Sequence, residues 1–108
     1  MLYAVWALDK AGALTERQRV RAEHRARLRA PAPHAVVVRL AGPLLAPDEQ
    51  TMCGTLLVVE AESLDAVRTF VDDDPYVRAG VYGSVQITAW HCGLGPWRAN
   101  GQPEESHA

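Results

Sequence analysis

Three stretches of this chain are apolar at consecutive positions, and the chain holds too little helix to hide them all. Leu2 to Leu8 (LYAVWAL), Val36 to Val38 and Leu56 to Val59 show no in–out alternation. A strand with one wet face alternates with a period of two, whereas a run that is apolar throughout has both faces covered. Two segments read as helix. Thr15 to about Ala30 lacks Gly and Pro, Thr15 and Gln18 are spaced as a capping box, and Pro31 and Pro33 close it. Ser63 caps the second, which carries Leu64, Val67, Phe70 and Val71 as its apolar stripe and stops at Asp72-Asp73-Asp74-Pro75. One further turn is expected from Pro75 to Ala79, ended by Gly80.

Four strands complete the pattern: Leu2 to Leu8, Ala35 to Leu40 closed by Gly42-Pro43, Cys53 to Ala61, and Ser84 to Cys92. The order β-α-β-β-α-β is the split βαβ, or ferredoxin-like, plan. With right-handed crossovers it gives an α+β domain: a four-stranded antiparallel sheet with two main helices on one face. Two helices cover one side only. The other apolar side calls for a second copy, so a homodimer through the sheet face is expected. Residues 1–92 form that domain, and the Gly-, Pro- and acid-rich remainder, 93–108, reads as a flexible tail.

At 108 residues with 48% hydrophobic and 22% charged side chains, the chain reads as one globular domain. Its formal net charge of −2 argues against a general nucleic-acid binder. The apolar start, Met1 to Leu8, is too brief for a signal peptide or a membrane span. Cys53 and Cys92 lack a CxxC spacing and fall at distant ends of two strands that run the same way, whereas a bridge needs Cα atoms within roughly 7 Å. Both read as free thiols of a cytoplasmic protein. His34, His91 and His107 show no ligand spacing, so no metal is expected.

The first helix carries the chemistry. At about 100° per residue, Leu14, Arg17, Val20, Arg21, His24 and Leu28 share one side. That stripe must face the sheet, yet it holds one histidine and two arginines, which are costly to bury without partners. A polar cavity between helix and sheet is the reading that reconciles them. The competing reading is a satisfied core histidine with arginines that extend their stems to water. Arg19, Arg25 and Arg29 point outward, and Arg27 is placed on the solvated face, four residues from Glu23. Asp74 before Pro75 is an ordinary N-cap, a role that needs no catalysis. Asp72 and Asp73 read as solvated, while Tyr76 and Tyr82 either line the cavity or pack.

Five segments together resemble one family. They are Met1-Leu2-Tyr3-Ala4, Arg17-x-x-x-Arg21-x-x-His24, Leu40-Ala41-Gly42-Pro43-Leu44, Gly54-x-Leu56 running on to Glu60-Ala61-Glu62-Ser63, and Asp73-Asp74-Pro75-Tyr76-x-x-Ala79-Gly80. In that order, from Met1 to about Trp90, they are similar to the YCII (YciI-like) family. The resemblance implies a dimeric ferredoxin-like α+β barrel, and a His–Asp pair as the catalytic feature. Carried onto this chain, the pair is His24 with Asp74. A few members of the family act on hydroxylated or chlorinated aromatics. The Arg-rich helix, Pro31-Ala32-Pro33 and the segment after Gly93 depart from the family pattern, so substrate identity does not follow from the resemblance.

The expected function is therefore a small cofactor-independent acid–base enzyme. It would carry out elimination, isomerisation or cyclisation on a phenolic or enolisable anion. His24 moves the proton, because imidazole titrates near neutral pH, and Asp74 orients it. Arg17 and Arg21 attract the anion, with Tyr76 and Tyr82 as further substrate contacts. A dimer that binds a metabolite without turnover is the alternative.

Overall fold

The computed structural model describes residues 1–97. The chain runs β1 (Leu2–Asp9), α1 (Leu14–Arg29), β2 (Val37–Leu45), β3 (Met52–Glu60), α2 (Leu64–Asp72), α3 (Pro75–Arg78) and β4 (Tyr82–Trp90). The four strands form one sheet in the order β2-β3-β1-β4, and each neighbouring pair is antiparallel. This is the ferredoxin-like arrangement that the element order implies. Gly12, Gly80 and Gly95 take positive φ; the first two occupy the turn before α1 and the end of α3.

Register assigns the two faces of the sheet. Tyr3, Val5 and Ala7 of β1 lie beside Val59, Leu57 and Thr55 of β3 and point toward the helices. There Tyr3, Val5, Leu57 and Val59 meet Val67, Phe70 and Val71 of α2, and together with Val36 and Ala61 these form the main core. Phe70 is fully buried, worth on the order of 1.5–3 kcal/mol of transfer free energy. Ser63 holds the start of α2 by accepting from the Ala66 N–H at 3.1 Å.

The opposite face carries Trp6 and Leu8 of β1, Leu56 of β3, Leu40 of β2 and Trp90 of β4, all substantially exposed. One corner is covered, because Leu2 and Val58 are buried beneath Cys92 and Trp97. The beginning of segment 93–108 is thus packed on the sheet as far as Trp97, and positions 98–108 of that expected tail lie outside the described residues. Both cysteines are free. No helix among the described residues is long and apolar enough to cross a membrane.

Three local expectations are corrected. Gly42 and Pro43 do not close the second strand; β2 continues to Leu45. Pro43 fits because β2 is an edge strand, where a missing N–H costs no ladder bond. The Thr15–Gln18 capping box does not form, since Ala13 is the N-cap of α1 and makes no side-chain cap bond. Leu64 is left exposed at the start of α2, whose buried residues are Val67, Phe70 and Val71.

Candidate functional site

α1 buries three residues, Arg17, Val20 and His24, of which two are polar. Each has partners. The Arg17 Nε donates to Asp9 Oδ2 at 2.8 Å, and Nη2 donates to Asp9 Oδ1 at 3.3 Å and Thr55 Oγ1 at 2.5 Å. The Arg17 charge is therefore balanced from the end of β1. His24 Nδ1 lies 2.9 Å from both carboxylate oxygens of Asp74, with only 4% of His24 and 2% of Asp74 exposed. An ionised carboxylate only accepts, so opposite an ionised Asp74 the donating nitrogen of this contact is Nδ1.

Asp74 is fixed by its place in the chain. It is the N-cap of α3, its Oδ1 accepts from the Tyr76 N–H at 2.8 Å, and Pro75 follows at the first helical position. The same turn brings up Tyr76, whose ring stacks on His24 at a centroid distance of 4.0 Å. The Arg17 guanidinium carbon lies 4.3 Å from that ring's centre. Arg17 and His24 sit two turns apart on α1, about 10 Å of rise, so the tyrosine ring is held between them. Tyr82 meets Tyr76 edge-on at 5.6 Å. Burial is the main cause raising both phenols above the ordinary tyrosine value, so neither is a phenolate at neutral pH.

A cavity of about 190 Å³ opens in front of the imidazole, bounded by Arg21, Arg25, Thr55, Tyr76 and the 41–43 segment of β2. Its charged wall is cationic, with Arg17, Arg21 and Arg25 on one helix. A wider groove of about 600 Å³ shares Arg25, Leu28 and Ala41 with it and runs on along β2. His24, Arg17, Arg21 and Tyr76 thus come together on one cavity. Asp74 stands behind the imidazole, and Tyr82 stands behind Tyr76, outside the lining. No group of three or more His, Cys, Asp or Glu side chains able to hold a metal occurs among the described residues.

Three residues behave differently from their sequence reading. Arg25, read as pointing outward, lines the cavity. Arg27 does not lie on the solvated face. Its Nη2 donates to the Phe70 carbonyl, its guanidinium carbon lies 4.2 Å from the Phe70 ring centre, and its Nη1 lies 3.7 Å from Asp74 Oδ2. The available signal was its position seven residues after Val20, which returns it to the buried side of the helix. Asp73 is not simply solvated either. It accepts from Arg78 at 2.7 Å and contacts His34 Nε2 at 2.9 Å, tying the loop after α1 to the start of α3.

The model of the YCII-related domain matches residues 1–91. The chain belongs to the YCII family. Protein YciI of Escherichia coli is 39% identical over 92 residues, which covers 81% of this chain and 93% of that protein. An uncharacterised protein of Haemophilus influenzae is 33% identical over 91 residues, with the same coverage of both chains. Among solved structures, 5-chloro-2-hydroxyhydroquinone dehydrochlorinase from Burkholderia phenoliruptrix, in complex with 2,5-dihydroxybenzoquinone, superposes with a TM-score of 0.71 at 31% identity. That match covers 84% of this chain and 95% of the dehydrochlorinase. The YCII fold thus includes a protein that acts on a small hydroxylated aromatic.

Proposed function

We propose that this YCII protein is a cofactor-independent acid–base enzyme for a small phenolic or enolisable anion. The observation that carries the reading is the His24–Asp74 pair, with Nδ1 on the carboxylate and the ring at the wall of a cavity with three arginines. His24 Nε2 takes a proton from the bound anion or returns one to it. Asp74 fixes the tautomer and stabilises the imidazolium, the role a carboxylate plays in hydrolytic triads. Arg21 and Arg25 draw the negative charge in. Arg17, balanced by Asp9, and Tyr76 shape the wall, with Tyr82 supporting Tyr76. Isomerisation and cyclisation need only such a proton shuttle; in elimination of HCl the electrons of the C–H bond that His24 breaks form the new double bond as chloride departs with the C–Cl pair. The dehydrochlorinase among its structural neighbours favours elimination.

The working form is proposed to be a homodimer joined through the exposed Trp6, Leu8, Leu40 and Leu56 face, in the cytoplasm, where the two free thiols persist. The test is a turnover screen over halogenated and hydroxylated quinols, comparing the native chain with His24→Ala. Turnover should vanish in the variant, and full activity without the imidazole would overturn the mechanism. A second reading, metabolite binding without turnover, is favoured by the 4% exposure of His24. It predicts saturable affinity for the same anions with no product from any of them.

A further inference from the structure

Arg27 stands beside the site, the proposed acid–base chemistry leaves it unused, and packing alone does not explain it. Its side chain is 17% exposed, and Nη1 is buried with no hydrogen-bond partner among the described residues. An unsatisfied buried donor on a cation is costly, and a leucine or methionine would fill the space over Phe70 without that cost. The nearest anion to Nη1 is Asp74 Oδ2, at 3.7 Å. The other end of the guanidinium is anchored on the Phe70 carbonyl and ring, so it is aimed at the carboxylate from α1 while Phe70 of α2 holds it there.

We propose that Arg27 is a positioning residue of this site: by facing the Asp74 carboxylate it offsets part of the negative charge that would otherwise draw a proton onto the His24 imidazole. The proposal rests on the acid–base reading of His24. A neutral imidazole beside a lone carboxylate forms a cluster of charge −1, and protonation neutralises it. With Arg27 the same cluster is neutral, and protonation leaves it at +1, which a buried site resists. The other charged or titratable groups around the cluster fit this count. On α1, Arg17 is cancelled by Asp9 of β1, whereas Arg21 and Arg25 add positive charge at the cavity mouth. Asp73 and Arg78 pair with one another beside α3, with His34 on the same carboxylate. Tyr76 and Tyr82 stay neutral. Burial lowers the Arg27 guanidinium from its ordinary value, and Asp74 is the largest opposing influence, as expected for two groups that feel each other.

The experiment is an NMR titration of the His24 imidazole in the full chain. In Arg27→Met the midpoint should move to higher pH by roughly half a unit or more, while Arg27→Lys, which keeps the charge, should stay near the native curve. An unmoved midpoint in Arg27→Met overturns the proposal. So does an equal movement in both variants, which would assign the effect to packing. If Arg27→Met does not fold, the native protein decides: the Arg27 side-chain nitrogen resonances should shift with the His24 titration, and resonances blind to it refute the coupling. The titration needs no substrate, so it separates the two readings. A shift without turnover on any substrate would sink the enzyme and keep the coupling. Loss of turnover in His24→Ala with an unmoved titration would do the reverse.

Discussion

Arg17 holds its guanidinium 4.3 Å from the centre of the Tyr76 ring while both carboxylate oxygens of Asp9 occupy its edge. A cation clamped in this way joins β1, α1 and α3. Arg17→Met should therefore act first on stability, by about 3–5 kcal/mol, because it strands the buried Asp9 carboxylate. Urea unfolding measures this. A loss below about 1 kcal/mol would show that the pair carries no structural weight.

Asp74 separates two roles by substitution. Asparagine is as good an N-cap as aspartate, whereas alanine gives up the bond to the Tyr76 N–H at a cost of about 1 kcal/mol. Asp74→Asn should keep the cap bond and fold, at a cost set by the Arg27 guanidinium it leaves unbalanced, yet lose the charge that faces His24. Its turnover should drop by 100-fold or more, on the order of one general acid–base contribution. An Asn variant with native turnover would mean that the carboxylate only caps.

The packing of β1 on β3 gives a sharper steric prediction. A Cβ at Gly54 would run into the Ala7 carbonyl oxygen and meet Leu44 Cδ1 at 2.9 Å. The first of these is backbone and does not yield. Gly54→Ala should cost about 1–3 kcal/mol in thermal or urea unfolding. It should also disturb the neighbouring Thr55 contact with Arg17. A neutral result would mean that the two strands part more easily than their register implies.

Assembly is open to a direct check. The native chain should sediment as a dimer. Trp6→Glu combined with Leu56→Glu, opposite one another on the exposed face, should give a folded monomer. A native chain that is monomeric at micromolar concentration would remove the sheet-face interface.

Acid behaviour follows from Asp73. The Arg78 hydrogen bond and then that of His34 hold its carboxyl below the ordinary aspartate value of 3.8. A depressed carboxylate adds stability that is complete above the unfolded value and disappears as pH falls through the folded one. The contribution is therefore present at neutral pH and lost in strong acid, and it is small because the pair is solvated. By NMR, Arg78→Ala should raise the Asp73 midpoint more than His34→Ala does. The opposite order would show that the imidazole is the stronger partner.

What the chain announced in its sequence was what local chemistry decides. Ser63 and Asp74-Pro75 cap their helices as the residue types require, and the His24 stripe faces the sheet because no other side of α1 is apolar enough. What stayed hidden depends on tertiary position. Pro43 looks like a stop until β2 is known to be an edge, where the ring is harmless. The spacing of Arg27 from Val20 hints at burial, yet its stem is long enough to reach either way, and the Phe70 carbonyl on α2 decides which. The Arg17–Asp9 pair was equally invisible, since nothing in the residues near Asp9 ties it to the second turn of a later helix.

One carboxylate oxygen of Asp74 answers both to the backbone of α3 and to the imidazole. A descendant of this chain that had abandoned its chemistry would still be under pressure to keep an aspartate there, simply to start a four-residue helix. Retention of Asp74 is then a poor witness to activity among relatives. The histidine, which no turn or cap demands, is the better one.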